Sequence, residues 1–125
     1  MKPEILTTDE APMPGGAYSQ GVRVGSTLFL SGQVGIDPAT GEVREGLAQQ
    51  TRQAIRNLEG VLRDAGGSLE SIVKTTCFLV DVGQFAEFNA AYAEMMGDHR
   101  PGRSTVGVEL AGGYLVEIEC IAHLE

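Results

Sequence analysis

The chain has 125 residues, with 17 Asp and Glu against 9 Lys and Arg and a formal net charge of -8. That length suits one compact domain over residues 1–125, and the 42% hydrophobic and 21% charged fractions are those of a globular protein, not a disordered or fibrous one. The acidic balance disfavours nucleic acid, whose binding draws on clustered Lys and Arg, and no apolar run nears the ~18 residues that span a bilayer.

The first twelve residues, MKPEILTTDEAP, lack the basic-then-apolar layout of a secretory signal and carry acids that a transit peptide avoids, so a soluble cytoplasmic protein is expected. Within them EILTT reads as a short edge strand. APMPGGAYSQG is a Pro and Gly loop of the kind that carries function on a rigid scaffold. VRVGSTLFLSGQVGI reads as two strands meeting in a turn at Gly25-Ser26. From Leu47 the period becomes helical: Leu47, Thr51, Ala54, Ile55, Leu58, Val61, Leu62 and Ala65 share a face. Gln49, Arg52, Gln53, Arg56 and Arg63 lie off that stripe, and Gly66-Gly67 supplies the stop.

SIVKTTCFLV is rich in Val, Ile, Thr and Phe and predicts a strand. Asp81 and Gln84 have capping-box spacing before a second helix, with Phe85, Phe88, Tyr92 and Met95 or Met96 as its apolar stripe and Gly97 as its end. STVGVEL and LVEIECIA, separated by Gly112-Gly113, complete the pattern. About six strands and two amphipathic helices predict an α+β fold, a sheet with helices on one face. Leu28 and Leu30 alternate with Phe29, and Cys77 and Leu79 with Phe78 and Val80. Both sheet faces are therefore apolar, while the helices cover only one. A homo-oligomer is expected.

Cys77 and Cys120 lie in apolar β-like runs and read as buried reduced thiols. His99 and His123 share no ligand spacing with them, so no metal site is expected. Alternation puts Arg103, Thr105 and Gly107 on one side of their strand, and Glu117 and Glu119 together on theirs. If these strands pair through the Gly112-Gly113 turn, an Arg, a Thr and one or two carboxylates share a surface. The same alternation sets Ser31 and Gln33 beside Phe29. Two readings stay open: a plain solvated polar face, or a site in which Arg103 holds an anion and a partly desolvated Glu117 acts on a proton or orients a water.

Several segments, taken in order, carry a resemblance. They are AYSQGV at 17–22, LFLSGQVGIDPATGE at 28–42, QQTRQAIRNLEGVL at 49–62, VKTTCFLVD at 73–81, FAEFNAAY at 85–92, RPGRSTVGV at 100–108 and VEIECIA at 116–122. Over nearly its whole length the chain resembles the Rid family, the YjgF-like reactive-intermediate imine and enamine deaminases.

The resemblance implies a chorismate-mutase-like fold and a homotrimer with sites in the clefts between subunits. It also implies hydrolysis of 2-imino or enamino acids, such as 2-aminoacrylate, to 2-keto acids and ammonia, with no cofactor. Arg103 matches the family's carboxylate-binding arginine, and Glu117 the acid that directs water. Tyr18 and Ser31 match pocket positions, backbone groups of Gly32 and Thr105 would help fix the ligand, and Asn89 matches a family position that would order the helix and loop.

The sequence departs from the family at Gly102, where relatives usually have Ala before the arginine. It departs again at Met95-Met96, where an aromatic pair is usual and the change is expected to reshape the cleft wall. Two other readings stand beside the deaminase: an endoribonuclease or translation inhibitor, which the acidity opposes, and a non-catalytic metabolite-binding trimer, which would need the Arg but not Glu117.

Overall fold

The period-two segments assemble into one six-stranded sheet in the computed structural model, which describes residues 1–125. Its strands are β1 (Glu4–Leu6), β2 (Gly21–Val24), β3 (Thr27–Gln33), β4 (Ile72–Leu79), β5 (Gly102–Gly107) and β6 (Val116–His123). Their spatial order is β1-β2-β3-β6-β4-β5; β4 and β5 run parallel, and every other pair is antiparallel. The β2–β3 turn falls at Gly25-Ser26, with Gly25 at φ 61°, a left-handed value that a side chain would resist. The fold class is the α+β one expected: a mixed sheet with two helices, α1 (Leu47–Asp64) and α2 (Phe85–Met96), on one face.

The α1 stripe buries Leu47, Thr51, Ala54, Ile55, Leu58, Val61 and Leu62 against the sheet. The apolar ones join Leu28, Leu30, Cys77, Leu79, Ile118 and Cys120 in one core, and the buried Thr51 hydroxyl donates to the Leu47 carbonyl. Cys77 and Cys120 are buried and unpaired, and burial pushes their thiols up to about 11 and about 12. Gln53 is not on the solvent side as its position off the stripe suggested. It is buried because its amide donates to Asn57 Oδ1 and its oxygen accepts from Arg44 Nε.

Four other expectations change. Asp81 caps a 3₁₀ turn over residues 82–84 by accepting from the Gly83 N–H, and α2 begins only at Phe85, with Gln84 making no side-chain cap. Met96 belongs to the core and Met95 packs against it, so this pair shapes the interior and not a cleft wall. Gln33 faces the core opposite Ile118, because the β3–β6 register shifts between Leu30 and Gln33 and one extra residue reverses the alternation.

The largest change concerns β5 and β6. They do not pair; β4 lies between them. Across these strands Arg103 aligns with Thr75 and Cys120, and Thr105 with Cys77 and Ile118, all on the helix side. Glu117 aligns instead with Phe78 and Val106, and Glu119 with Thr76 and Ser104, on the open side. The open side also carries Phe29 beside Ile121, and Phe29 and Val106 are 47% and 42% exposed.

Candidate functional site

The predicted site residues fall into two groups. Tyr18, Ser31, Gly32 and Glu117 line one cleft of about 530 Å³, with Met13, Tyr114 and Glu119 among its other walls. Arg103 and Asn89 line a second cleft of about 390 Å³ on the helix side, with Tyr92 and Arg100. Because Glu117 and Arg103 project from opposite faces of the sheet, one chain does not bring them together.

The first cleft is built around the β3 bulge. A Cβ on Gly32 would overlap the Glu117 carboxylate, lying 2.8 Å from Cδ and 2.9 Å from Cγ, so the absence of a side chain there is what lets Glu117 lie across β3. The Ser31 hydroxyl donates to the Ser19 carbonyl at 2.7 Å, and its N–H donates to the Gln20 carbonyl at 3.0 Å. These bonds bind the strand to the loop carrying Tyr18. Tyr18 itself is exposed, with its hydroxyl accepting from the Gly15 N–H.

Two residues that the sequence reading missed hold the walls. Gln20 is fully buried; its amide donates to the carbonyls of Thr8, Ala11 and Pro12, and its oxygen accepts from the Thr8 N–H at 2.7 Å. Gln50, buried on α1, donates to the Arg44 carbonyl and accepts from the Leu115 N–H. It thus ties the 34–44 loop to the segment leading into Glu117. Amide side chains in a loop or on a helix look solvent-facing in a sequence; their burial depends on loop carbonyls and N–H groups that only the tertiary fold delivers.

Glu117 is half-buried and makes no ion pair or hydrogen bond within the chain. Its carboxyl is raised above the ordinary value of 4.5, first by loss of solvent and then by the neighbouring Glu119 charge. A carboxylate in that state accepts a proton more readily than a surface acid does.

Arg103 is also half-buried without a carboxylate partner. Its Nη1 donates to Asn89 Oδ1 at 2.8 Å, and Cζ lies 4.8 Å, 5.3 Å and 5.7 Å from the ring centroids of Tyr92, Phe85 and Phe88. Phe85 is therefore more than core packing: at 39% exposed, it shields the cation. Asn89 orders the arginine directly. Thr105 faces the same side, and its buried Oγ1 has no hydrogen-bond partner. An unneutralised guanidinium with spare N–H donors suits a small planar anion such as a carboxylate. No group of three or more His, Cys, Asp or Glu is placed to hold a metal, and no helix is long and apolar enough to cross a membrane.

A sequence profile of the Endoribonuclease L-PSP family matches residues 8–124. A RutC family protein of Pyrococcus abyssi is 42% identical, with 100% of both chains covered. The 2-iminobutanoate/2-iminopropanoate deaminase of Rattus norvegicus is 39% identical over 95% of this chain and 88% of the rat protein. Among solved structures, E. coli TdcF with bound serine matches with a TM-score of 0.93 at 36% identity, covering 98% of this chain and 99% of that one. With a family profile spanning almost every residue and full-length relatives of this identity, the chain belongs to the Rid (YjgF-like) family, whose profile is described as Endoribonuclease L-PSP.

Proposed function

We propose that the protein is a cytoplasmic hydrolase that converts small 2-imino or enamino acids, such as 2-aminoacrylate, to 2-keto acids and ammonia. It works as a homotrimer in which Arg103 of one copy and Glu117 of the next complete each site. The support is the state of the two charged side chains. One is a cation held without an acid in a protein of net charge -8, and the other is a carboxylate without a cation and with a raised proton affinity. They lie on opposite faces of one sheet, and Arg103 stands on the edge strand β5. A head-to-tail contact between an edge of one copy and a face of the next closes into a ring where its rotation allows, and the family resemblance is what makes that ring a trimer. The exposed Phe29 and Val106 give that face an apolar surface to bury.

In this reading the guanidinium of Arg103 pairs with the substrate carboxylate. An enamino substrate first tautomerises to its imine, a proton leaving nitrogen as one is gained at the terminal carbon. Water held at Glu117 then adds its oxygen to the imine carbon while its proton passes to the carboxylate. The C–N bond of the tetrahedral adduct then breaks, the nitrogen leaving as ammonia with the protons that water supplied and the carbon becoming the ketone. Imines hydrolyse unaided, so orientation and a placed water are sufficient assistance. The rat relative's activity and the serine in TdcF, a small carboxylate-bearing molecule, point the same way. The family's endoribonuclease description is the weaker guide here, because Glu117 and Glu119 in the cleft repel phosphate. RNA binding that fell steeply with salt would reverse that judgement.

The test is to generate 2-aminoacrylate with a serine dehydratase and follow pyruvate release. Wild type accelerates release, and Arg103→Ala lowers kcat/KM roughly 10²- to 10³-fold. No acceleration by wild type sinks the deaminase assignment for this substrate.

A further inference from the structure

An arginine taken partly out of water is expensive unless something answers its charge. At Arg103 no carboxylate does so, and Asn89 occupies one N–H of five. The remaining compensation comes from the electron-rich faces of three rings, which attract the cation without neutralising it.

Among those rings Tyr92 is singular. It is the nearest, at 4.8 Å, and is buried where Phe85 is exposed. Its orientation is also fixed by a hydroxyl-to-hydroxyl bond of 2.8 Å to Thr75. Thr75 stands beside Arg103 in the parallel β4–β5 register. The contacts thus close a circuit from Arg103 on β5 through the Tyr92 ring on α2 to Thr75 on β4, and back across the ladder. A phenylalanine would give the same cation–ring attraction; the hydroxyl pair adds only a fixed ring position.

We propose that Tyr92, pinned by Thr75, is a positioning residue that holds Arg103 as a preformed anion receptor. The proposal deepens the deaminase reading and rests on it only for the ligand being a carboxylate. The competing reading is that the two hydroxyls merely satisfy each other in the core. In that case their loss lowers stability and leaves anion binding alone.

Two variants remove the bond from opposite ends, Tyr92→Phe and Thr75→Val, and both keep nearly the native volume. With pyruvate as the probe, each is expected to weaken binding roughly three- to tenfold, and the double variant no more than either single one. Turnover of 2-aminoacrylate at saturation stays within about twofold of wild type, so the effect appears in KM. Nitrogen-15 NMR of the Arg103 guanidinium gives a readout independent of any ligand. In wild type the side chain shows restricted rotation about Nε–Cζ and ring-shifted signals, and both variants relax it toward a mobile arginine.

Pyruvate affinity and guanidinium signals that match wild type in both single variants overturn the proposal, whatever their melting temperatures. A wild type that binds pyruvate with these variant effects but turns over no imine sinks the deaminase reading and leaves the brace standing. If wild type takes up no pyruvate, the guanidinium signals decide: unchanged signals in Tyr92→Phe overturn the brace.

Discussion

The two faces of the sheet solve opposite problems with the same alternation. On the helix side, β4, β5 and β6 present Thr75, Arg103 and Cys120 in one row to a closed core, and the single charge is enclosed by rings and an amide. On the open side, the adjoining rows set Glu117 and Glu119 among Phe78, Val106 and Thr76, where loops wall a cleft around them but no helix covers them. One face encloses its cation without a carboxylate, and the other carries Glu117 and Glu119 without an ion pair, although Lys74 shares a cleft with Glu119. Opposite charges on opposite faces cannot meet within a chain, so the difference between the faces is itself an argument for a site made by two copies.

The sharpest way to break that contrast is to inactivate each face in a separate chain and mix them. Arg103→Ala and Glu117→Gln are each expected to be nearly inactive alone. Co-refolded in equal amounts they regain about a quarter of wild-type turnover, the fraction of contacts pairing an intact arginine edge with an intact glutamate face in a randomly mixed ring. If the site lay within one chain, every mixed assembly would stay dead, and the opposite-face argument would fail with it.

Gly32→Ala attacks the open face by geometry alone. A methyl at that position overlaps the Glu117 carboxylate, whose Cδ and Cγ lie 2.8 Å and 2.9 Å from where it would sit. Displacing Glu117 by about an ångström is expected to lower kcat about 10²-fold. The carboxylate is the end of a flexible side chain that nothing in the chain bonds, so it yields at a cost of less than about 1 kcal/mol of stability, and steady-state kinetics with a urea titration separate the two. Unchanged kcat would mean that the carboxylate works from some other position.

How far these features could be read from the sequence follows the range of the interactions behind them. The β2–β3 hairpin, the α1 stripe and β4 depend on neighbours two to four residues apart, so their periods are visible. The separation of β5 from β6 by β4 is a pairing between distant segments, and adjacency through the Gly112-Gly113 turn was the natural but wrong expectation. Gln33 turns inward because of a single extra residue in β3. Gln20 and Gln50 are buried by carbonyls of remote loops. Arg103 and Glu117 stand out in the sequence as candidates, by type and by resemblance, but their placement on opposite faces does not, since alternation gives each strand's phase and not the phase between strands.

A smaller effect tests the unanswered charge directly. The Glu117 carboxyl is raised in the fold, so its ionisation opposes folding: its contribution is fully favourable below the ordinary value of 4.5 and is lost as pH rises through the raised one. Glu117→Gln should therefore raise the melting temperature slightly at pH 7, by an amount that solvent screening keeps small, and the gain should vanish in scans below the ordinary carboxylate range. A loss of stability at pH 7 instead would mean that Arg103 of the neighbouring copy pairs with the Glu117 carboxylate directly, and not with the substrate carboxylate across the site.

The smallest expected effect concerns the closed face and asks what holds its arginine. Gly102 precedes Arg103, and the backbone freedom of glycine suggests a looser anchor. The surroundings argue otherwise. Gly102 has no positive φ, and a Cβ there would meet Lys74 Cδ at 3.5 Å and the Val73 carbonyl at 3.7 Å, both ordinary contacts. Alanine therefore fits, and its reduced freedom in the unfolded chain should add about 0.4–1 kcal/mol of stability. The guanidinium is fixed well beyond its own backbone, by Asn89 and the three rings, so KM for the imine should not change. A fall in KM with Gly102→Ala would show that backbone freedom at the edge strand, and not the ring enclosure, limits how firmly the arginine is presented.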